Sequence, residues 1–220
     1  MVWLRRGLIA ILVVLLLPAV YFLYLIGHGN FHPITEGKAY RSAQLSREKL
    51  EFYVKNYHIR SILNLRGNGG NARWYLDELQ VSRKYDIRHY DLWLSASREP
   101  SPEEVQILMA IFRDAPRPIL IHCKGGADRA GLVAAMWKVI VDKEPKLQAE
   151  KQLSVMFGHL PVGETAAMDR FFDKWSRNPC WNDNQTAEQA LLWSPQKLLI
   201  ELEPPPTHID EIFWNEDKGL

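Results

Sequence analysis

The stretch His122–Arg129 most constrains what this chain can fold into. In it, Cys123 and Arg129 are separated by five residues, two of them adjacent glycines. An apolar run, 118–121, precedes the stretch, and a helix-like run, 130–141, follows it. A strand, a tight loop and a helix in this order turn backbone N–H groups inward around an anion. The sequence therefore predicts an α/β fold with an anion-binding loop at a strand end.

The residue types in this loop indicate chemistry at phosphorus. A cysteine at the strand end lies in a positive field, which favours the nucleophilic thiolate. An arginine at the far end presents a planar fork that fits two phosphate oxygens. In the alternative interpretation Cys123 is an inert buried thiol and Arg129 a surface residue. That interpretation does not account for the glycine pair or for the strand and helix on either side.

The wider sequence resembles the cysteine-dependent protein tyrosine and dual-specificity phosphatases, and within them a dual-specificity-like group found in bacteria, plants and fungi. The loop carries this resemblance together with three shorter matches, 39–44, 59–67 and 95–100. The matched region runs from near Phe31 to near Trp175. The resemblance implies a central, largely parallel sheet flanked by helices, as in the protein tyrosine phosphatases.

The resemblance also implies a mechanism. Cys123 attacks phosphorus to form a phosphocysteine, and Arg129 and the loop N–H groups hold the equatorial oxygens. Neither a metal nor another cofactor is expected, because the arginine and the N–H dipoles take that role. The adjacent His122 is expected to fix the loop by hydrogen bonds. The other residues expected to bind the phosphate are Lys124, Gly125, Gly126 and Ala127.

A general acid must protonate the leaving oxygen, and three candidates stay open. Asp128 lies inside the loop, where a subset of bacterial relatives has an aspartate in this role. Asp91 ends a predicted strand in the region where most of the superfamily carries the acid, and Glu99 lies further along that region. Ala130 stands where the family usually has Ser or Thr to stabilise the departing thiolate. Slow hydrolysis of the intermediate is therefore expected.

Phosphorylated proteins, through phosphotyrosine or phosphoserine, are the first choice of substrate, and phospholipids or phosphoinositides are the alternative. Lys124 adds positive charge beside Cys123. The side chains of Arg41, Arg66 and Arg98 would form a basic mouth if they lie at strand ends. A non-catalytic phosphate-binding module is supported by Ala130 alone. A sulfurtransferase is disfavoured because its loop is typically shorter.

The N-terminal sequence predicts a membrane anchor. An uncharged apolar run of about 19 residues, Leu8–Ile26, follows Arg5 and Arg6, and this length suits a helix that crosses a bilayer. The positive-inside rule then places the N terminus in the cytoplasm and the catalytic domain outside it, in the periplasm if the source is bacterial. A cleaved signal peptide is the alternative, although residues 19–21 make a poor cleavage site.

Composition limits the remaining possibilities. Lys and Arg total 27 against 26 Asp and Glu, so the chain lacks the basic excess of a nucleic-acid-binding protein. The two cysteines are too few for a disulfide scaffold. The predicted organisation is an anchor or signal segment at 1–27, a linker at 28–38, a phosphatase domain at 39–178 and an irregular C-terminal extension at 179–220. Within the domain, the predicted helices cover 46–57, 73–84, 101–115, 130–141, 146–156 and 164–175, and the predicted strands cover 59–65, 87–92 and 118–121.

Overall fold

Five short strands form one mixed sheet in the order β1-β2-β5-β3-β4. Strands β2, β5, β3 and β4 run parallel to one another, and β1 is antiparallel to β2. This arrangement confirms the predicted largely parallel sheet. The strands are β1 (His32–Thr35), β2 (Ala39–Ser42), β3 (Ser61–Asn64), β4 (Arg88–Asp91) and β5 (Ile119–His122).

The four parallel strands end in register. Their last residues, Ser42, His122, Asn64 and Asp91, are consecutive neighbours across the sheet. The segments that follow these strands therefore leave from one edge, which is where α/β sheets form their binding sites.

The structure is a computed structural model that describes residues 2–177. These residues belong to the first of two units, Met1–Asn182 and Asp183–Leu220. The predicted C-terminal extension at 179–220 lies outside the described residues. The helices are α1 (Val2–Gly27), α2 (Arg47–Tyr57), α3 (Arg73–Lys84), α4 (Pro102–Asp114), α5 (Asp128–Ile140), α6 (Lys146–Ala149) and α7 (Ala167–Arg177).

Helix α4 begins as its sequence predicts. Ser101 Oγ accepts a hydrogen bond from the Glu104 N–H, and the Glu104 carboxylate accepts one from the Ser101 N–H at 2.7 Å. Pro102, which has no N–H to lose, occupies the first helical position. This reciprocal capping sets the start of the helix.

Helices cover both faces of the sheet. Because side chains alternate along a strand, Ile119 and Ile121 of β5 join the core cluster that contains α4, α5 and α7. Leu120 joins the cluster that contains residues of α2 and α3. Every residue from Ala130 to Trp137 in α5 is buried. This packing fixes the position of α5 relative to β5, the strand that leads into the 123–129 loop.

The predicted helix over 146–156 is wrong in its second half. Helix α6 ends at Ala149, and 3₁₀ turns follow at Glu150–Gln152 and Val155–Phe157. The Gln152 carbonyl accepts a hydrogen bond from Arg41 Nη1 at 2.7 Å. In a continuing helix that carbonyl would accept from the N–H four residues later. A contact with a distant strand thus replaces the helical bond.

The structure bears on the N-terminal predictions in two places. The predicted transmembrane helix is not found, since among residues 2–177 no helix has both the length and the apolar character needed to cross a bilayer. Strand β1 lies inside 28–38, and this part of the predicted linker therefore belongs to the sheet. The end of α1 contacts the domain, since Leu25 is buried and the Tyr21 hydroxyl donates to Met156 O at 2.6 Å.

Candidate active site

The 123–129 loop joins the central strand β5 to α5. Cys123, the first residue after β5, is buried, and its Sγ accepts a hydrogen bond from the Gly126 N–H at 3.2 Å. Helix α5 begins at Asp128, and the N–H groups of a first helical turn have no intrahelical partners. Both features place the positive ends of N–H dipoles around the sulfur.

Gly126 is required by the shape of this loop. Its φ is +71°, in the left-handed region that favours glycine. A Cβ at Gly126 would lie 2.5 Å from Ala43 N and 2.6 Å from the Ser42 carbonyl carbon, where β2 ends. A Cβ at the neighbouring Gly125 would meet nothing within 4 Å. Only the second glycine of the pair is therefore demanded by packing.

Arg129 is anchored by the backbone of two other segments. Its Nη1 donates to Leu65 O and Leu94 O, both at 3.2 Å, just beyond the ends of β3 and β4. Its Nε is buried and has no hydrogen-bond partner among the described residues. A buried guanidinium N–H without a partner is costly unless a ligand accepts from it. The two hydrogen bonds of Nη1 thus fix the orientation of the guanidinium, and its Nε–H remains available to donate to an oxyanion.

Arg41 lies behind the loop, and its predicted place in a basic mouth is wrong. The residue is fully buried, and its guanidinium carbon lies 4.2 Å from the centre of the Phe157 ring. Burial lowers the pKa of Arg41 to about 10, and the charges of Cys123 and Asp128 act in the opposite direction. The side chain therefore stays cationic at neutral pH and adds positive charge beneath the loop.

The peptide groups of the 123–129 loop are held from one side. In a planar trans peptide, a carbonyl and the N–H that follows it point in opposite directions. The carbonyls of residues 124–127 all accept hydrogen bonds from other segments of the protein. The N–H groups of residues 125–128 therefore point away from those segments, and the Gly126 N–H donates to Cys123 Sγ. The pairs are Lys124 O with Gln44 N (3.2 Å), Gly125 O with Asn30 Nδ2 (3.0 Å), and Gly126 O and Ala127 O with Arg41 Nη2 (2.7 and 3.0 Å).

A buried carboxylate fixes His122, the residue before the nucleophile. Glu78 of α3 lies with Oε1 3.1 Å from His122 Nε2 and 2.7 Å from His89 Nε2. Its Oε2 accepts from Gln44 Nε2 at 2.9 Å. Burial alone would raise the pKa of Glu78, but His122 and His89 outweigh it and hold the pKa well below its usual range. The contact agrees with a hydrogen-bonding role for His122.

Two of the three candidate acids are engaged elsewhere. Asp91 accepts from Asn64 Nδ2 at 2.7 Å through one oxygen and from the Tyr75 hydroxyl through the other. Glu99 accepts from Lys174 Nζ of α7 at 2.8 and 3.0 Å. Both carboxylates are therefore bound by other parts of the fold.

Asp128 is placed differently. It is the residue before Arg129, and its Oδ1 lies 2.7 Å from His159 Nδ1. No hydrogen-bond partner of its Oδ2 is found within residues 2–177. Asp128 is therefore the candidate acid that combines a position in the loop with an oxygen left for a substrate.

Of the three arginines in the predicted basic mouth, Arg66 remains, and Lys124 adds its charge beside Cys123. Lys124 is exposed. Arg66 is half-buried and stacks on Trp74 at 3.6 Å, and its pKa is lowered by burial and by the charge of Arg129. Arg98, in contrast, forms an ion pair with Glu104. The mouth is therefore less basic than the sequence predicts.

Sequence reasoning missed the residues that support the loop from other elements. Asn30 lay in the predicted linker, and Glu78 occupied a helix with no visible functional motif. His159 and Asp169 follow the loop by 30 residues or more and belong to no recognisable spacing. Only the 39–44 match, which contains Arg41 and Gln44, carried a signal for this set.

The comparison with protein families agrees with this geometry. The family model described as a DSP-PTPase phosphatase fused to NAD⁺ kinase matches residues 28–170. Among curated proteins, no sequence matches this chain.

Solved structures share the fold at low sequence identity. TpbA from P. aeruginosa is 21% identical, covers 66% of this chain and 84% of its own, and has a TM-score of 0.51. A TpbA variant in complex with pTyr is 20% identical over 76% of this chain and 92% of its own, with a TM-score of 0.50. The core catalytic domain of the PP-IP phosphatase SIW14 from S. cerevisiae is 19% identical over 72% of this chain and 93% of its own, with a TM-score of 0.57.

Proposed function

Because the chain belongs to the family of DSP-PTPase phosphatases described as fused to NAD⁺ kinase, we propose that it hydrolyses phosphate monoesters through a phosphocysteine intermediate. The observation that carries this proposal is the 123–129 loop, whose four held carbonyls leave a row of N–H groups on the opposite side. Such a row, with Arg129 at its end, matches the three equatorial oxygens of a phosphoryl group in transfer.

In the first step the Cys123 thiolate attacks phosphorus in line with the leaving oxygen. The S–P bond forms as the P–O bond breaks, and Asp128 gives its proton to the leaving oxygen. Arg129 and the loop N–H groups hold the other three oxygens throughout. In the second step water attacks the phosphocysteine, Asp128 accepts a proton from that water, and the electron pair of the S–P bond returns to Cys123.

The test is to trap the intermediate while metal is removed. We expect the purified protein to release para-nitrophenol from para-nitrophenyl phosphate in the presence of EDTA. Acid quenching during turnover of a radiolabelled ester is expected to leave about one phosphoryl group per chain, bound to Cys123. Turnover that EDTA abolishes, or turnover without a labelled cysteine, would contradict the proposal.

The proposed substrate is a phosphorylated protein, with phosphotyrosine as the first residue to try. The likeness in fold to TpbA, which has been solved with pTyr, supports this choice, as does the exposed ring of Trp93. Trp93 forms a β-bridge with Arg66 and directly precedes Leu94, one of the Arg129 anchors. An aromatic platform at this point suits the ring of a phosphotyrosine.

A phospholipid or phosphoinositide is the alternative. Lys124 and Arg66 favour a substrate with more than one phosphate, and the likeness in fold to the PP-IP phosphatase SIW14 agrees with that. A panel of phosphotyrosine peptides, phosphoserine peptides, phosphoinositides and other phospholipids separates the two. A value of kcat/KM highest for phosphotyrosine supports the first choice, and one highest for the lipids supports the alternative.

Restoring a hydroxyl after Arg129 tests the second step. Ala130 is fully buried in the first turn of α5. In Ala130→Ser the hydroxyl can donate to the departing thiolate, and one hydrogen bond corresponds to about 2- to 10-fold in rate. We expect kcat to rise by about that factor and the pre-steady-state burst of para-nitrophenol to shrink. Ala134→Ser, equally buried one turn later, is the control and should change neither.

A further inference from the structure

His159 is a buried histidine with a carboxylate at each ring nitrogen. Its side chain has an exposed fraction of 0%. Nδ1 lies 2.7 Å from Asp128 Oδ1, and Nε2 lies 2.9 Å from Asp169 Oδ2 of α7. Each carboxylate oxygen accepts only if the ring nitrogen that faces it donates, and both ring nitrogens donate in the imidazolium form. The three side chains thus make a linear unit that ends in the 123–129 loop.

The backbone that carries His159 is tied to the groups that hold the loop. Asn30 Nδ2 donates both to Gly125 O in the loop and to Phe157 O, at 3.0 and 2.9 Å. The Phe157 ring lies against the Arg41 guanidinium. The distance between His159 and the loop is therefore set by shared contacts and does not depend on the imidazole alone.

The charges around His159 favour its protonated form. Burial alone would lower the pKa of His159, but the hydrogen bonds and charges of Asp128 and Asp169 outweigh it and raise the pKa above its ordinary value. The titratable groups that face His159 are Asp128 at the start of α5 and Asp169 in α7. The charge of Arg41, below the loop, also acts on Asp128.

We propose that His159, oriented by Asp169, is a positioning residue that fixes Asp128 for proton transfer at the 123–129 loop; this inference rests on the proposed phosphatase function. His159 holds Oδ1 and leaves Oδ2 for the leaving oxygen. When Asp128 gives up its proton, the imidazolium stabilises the carboxylate that forms. That stabilisation acts in the transition state, where it raises the rate.

The test is Asp169→Asn, because Asp169 is partly exposed at 34% and its replacement leaves no buried charge in α7. The readout compares phenyl phosphate with para-nitrophenyl phosphate. A general acid matters more for the poorer leaving group. We expect kcat/KM to fall about 10-fold on phenyl phosphate and only about 2-fold on para-nitrophenyl phosphate. Both losses are smaller than the factor of about 10² or more that a general acid contributes, because Asp128 itself is still present.

The pH profile gives a second readout, and its sign follows from the charges. The hydrogen bonds and charges of Asp128 and Asp169 raise the pKa of His159. Removal of the Asp169 charge lowers that pKa, so the imidazolium that holds Asp128 is lost at lower pH. The basic limb of kcat/KM is therefore expected to move to lower pH in Asp169→Asn.

A pair of variants at His159 separates positioning from packing. Asn places an amide N–H near the position of Nδ1, whereas Leu fills the space without a donor. The ratio of kcat/KM on phenyl phosphate to kcat/KM on para-nitrophenyl phosphate is the measured quantity. We expect this ratio to be closer to the wild-type value in His159→Asn than in His159→Leu. The control is Asp173→Asn, the same change one turn later in α7, at a residue paired with Lys146. It should alter neither the ratio nor the pH limb.

The outcomes separate this inference from the phosphatase proposal. Equal losses on both esters in Asp169→Asn, with an unmoved basic limb, would overturn the positioning role and leave the phosphatase proposal standing. Absence of turnover by the wild-type protein would overturn the phosphatase proposal and this inference with it.

Discussion

Cys123→Ser is expected to lower kcat on para-nitrophenyl phosphate by about 10³-fold or more, since it removes the nucleophile. A serine hydroxyl stays protonated at neutral pH and needs a base beside it. The nearest histidine in sequence, His122, has its Nε2 engaged with Glu78, so it is not available to activate the serine. The row of loop N–H groups and Arg129 are unchanged by the substitution. Binding of inorganic phosphate is therefore expected to persist.

Calorimetric titration with inorganic phosphate, beside steady-state kinetics, checks both halves of this prediction. Arg129→Lys is the matched comparison, because it keeps the charge but loses the planar fork. It should weaken phosphate binding as well as turnover. If Cys123→Ser retained most of its activity, or lost phosphate binding as completely as Arg129→Lys, the assignment of Cys123 as the nucleophile would be wrong.

Gly126→Ala is expected to have the second-largest effect. The new Cβ would lie 2.5 Å from Ala43 N, a backbone atom that cannot rotate away, and the residue would have to keep a φ of +71°. The loop must then shift relative to the end of β2. Misplacing catalytic groups by about 1 Å costs about 10²-fold in rate, and left-handed strain costs about 1–3 kcal/mol of stability. We expect kcat/KM to fall by about that factor and the thermal midpoint to drop by several degrees.

Gly125→Ala is the control for this prediction. A Cβ there meets nothing within 4 Å, so the thermal midpoint should stay close to that of the wild-type protein and the loss of activity should be much smaller. Thermal denaturation and kinetics on para-nitrophenyl phosphate measure both quantities. Equal effects of the two substitutions would show that the approach of Gly126 to Ala43 does not set the loop conformation.

Helix α3 shows where sequence patterns stop being informative. Its bounds, Arg73–Lys84, are those that the sequence predicts. Its buried residues are Tyr75, Glu78, Val81 and Ser82, and two of these four are polar. A glutamate is normally placed on the solvent side of a helix. Here Glu78 is buried because His122 and His89, from two strands, pair with its carboxylate. Pairing between distant segments produces no periodic pattern in the sequence of the helix.

The three acid candidates make the same point about the site. The sequence identifies Asp128, Asp91 and Glu99 as candidates for the general acid. It does not show which of them has an oxygen available for the substrate. Tyr75 and Asn64 use both oxygens of Asp91, and Lys174 holds Glu99. In all four contacts the partner lies between 16 and 75 residues away in the chain. Only folding decides which carboxylate keeps an oxygen free.

The sequence alone determined the parts of this protein that depend on local chemistry: the strand–loop–helix around Cys123, the capping box of α4 and the alternation that predicts a largely parallel sheet. Each rests on residues a few positions apart, where backbone geometry and hydrogen bonding act directly. The tertiary structure decided what depends on distant partners: the burial of Arg41 behind the loop, the charge pair that fixes His122, and the clamp of His159 on Asp128. In each of these contacts, a distant partner offsets the cost of burying a charged side chain. The charged residue and its partner lie far apart in the chain, so no short stretch of sequence contains both.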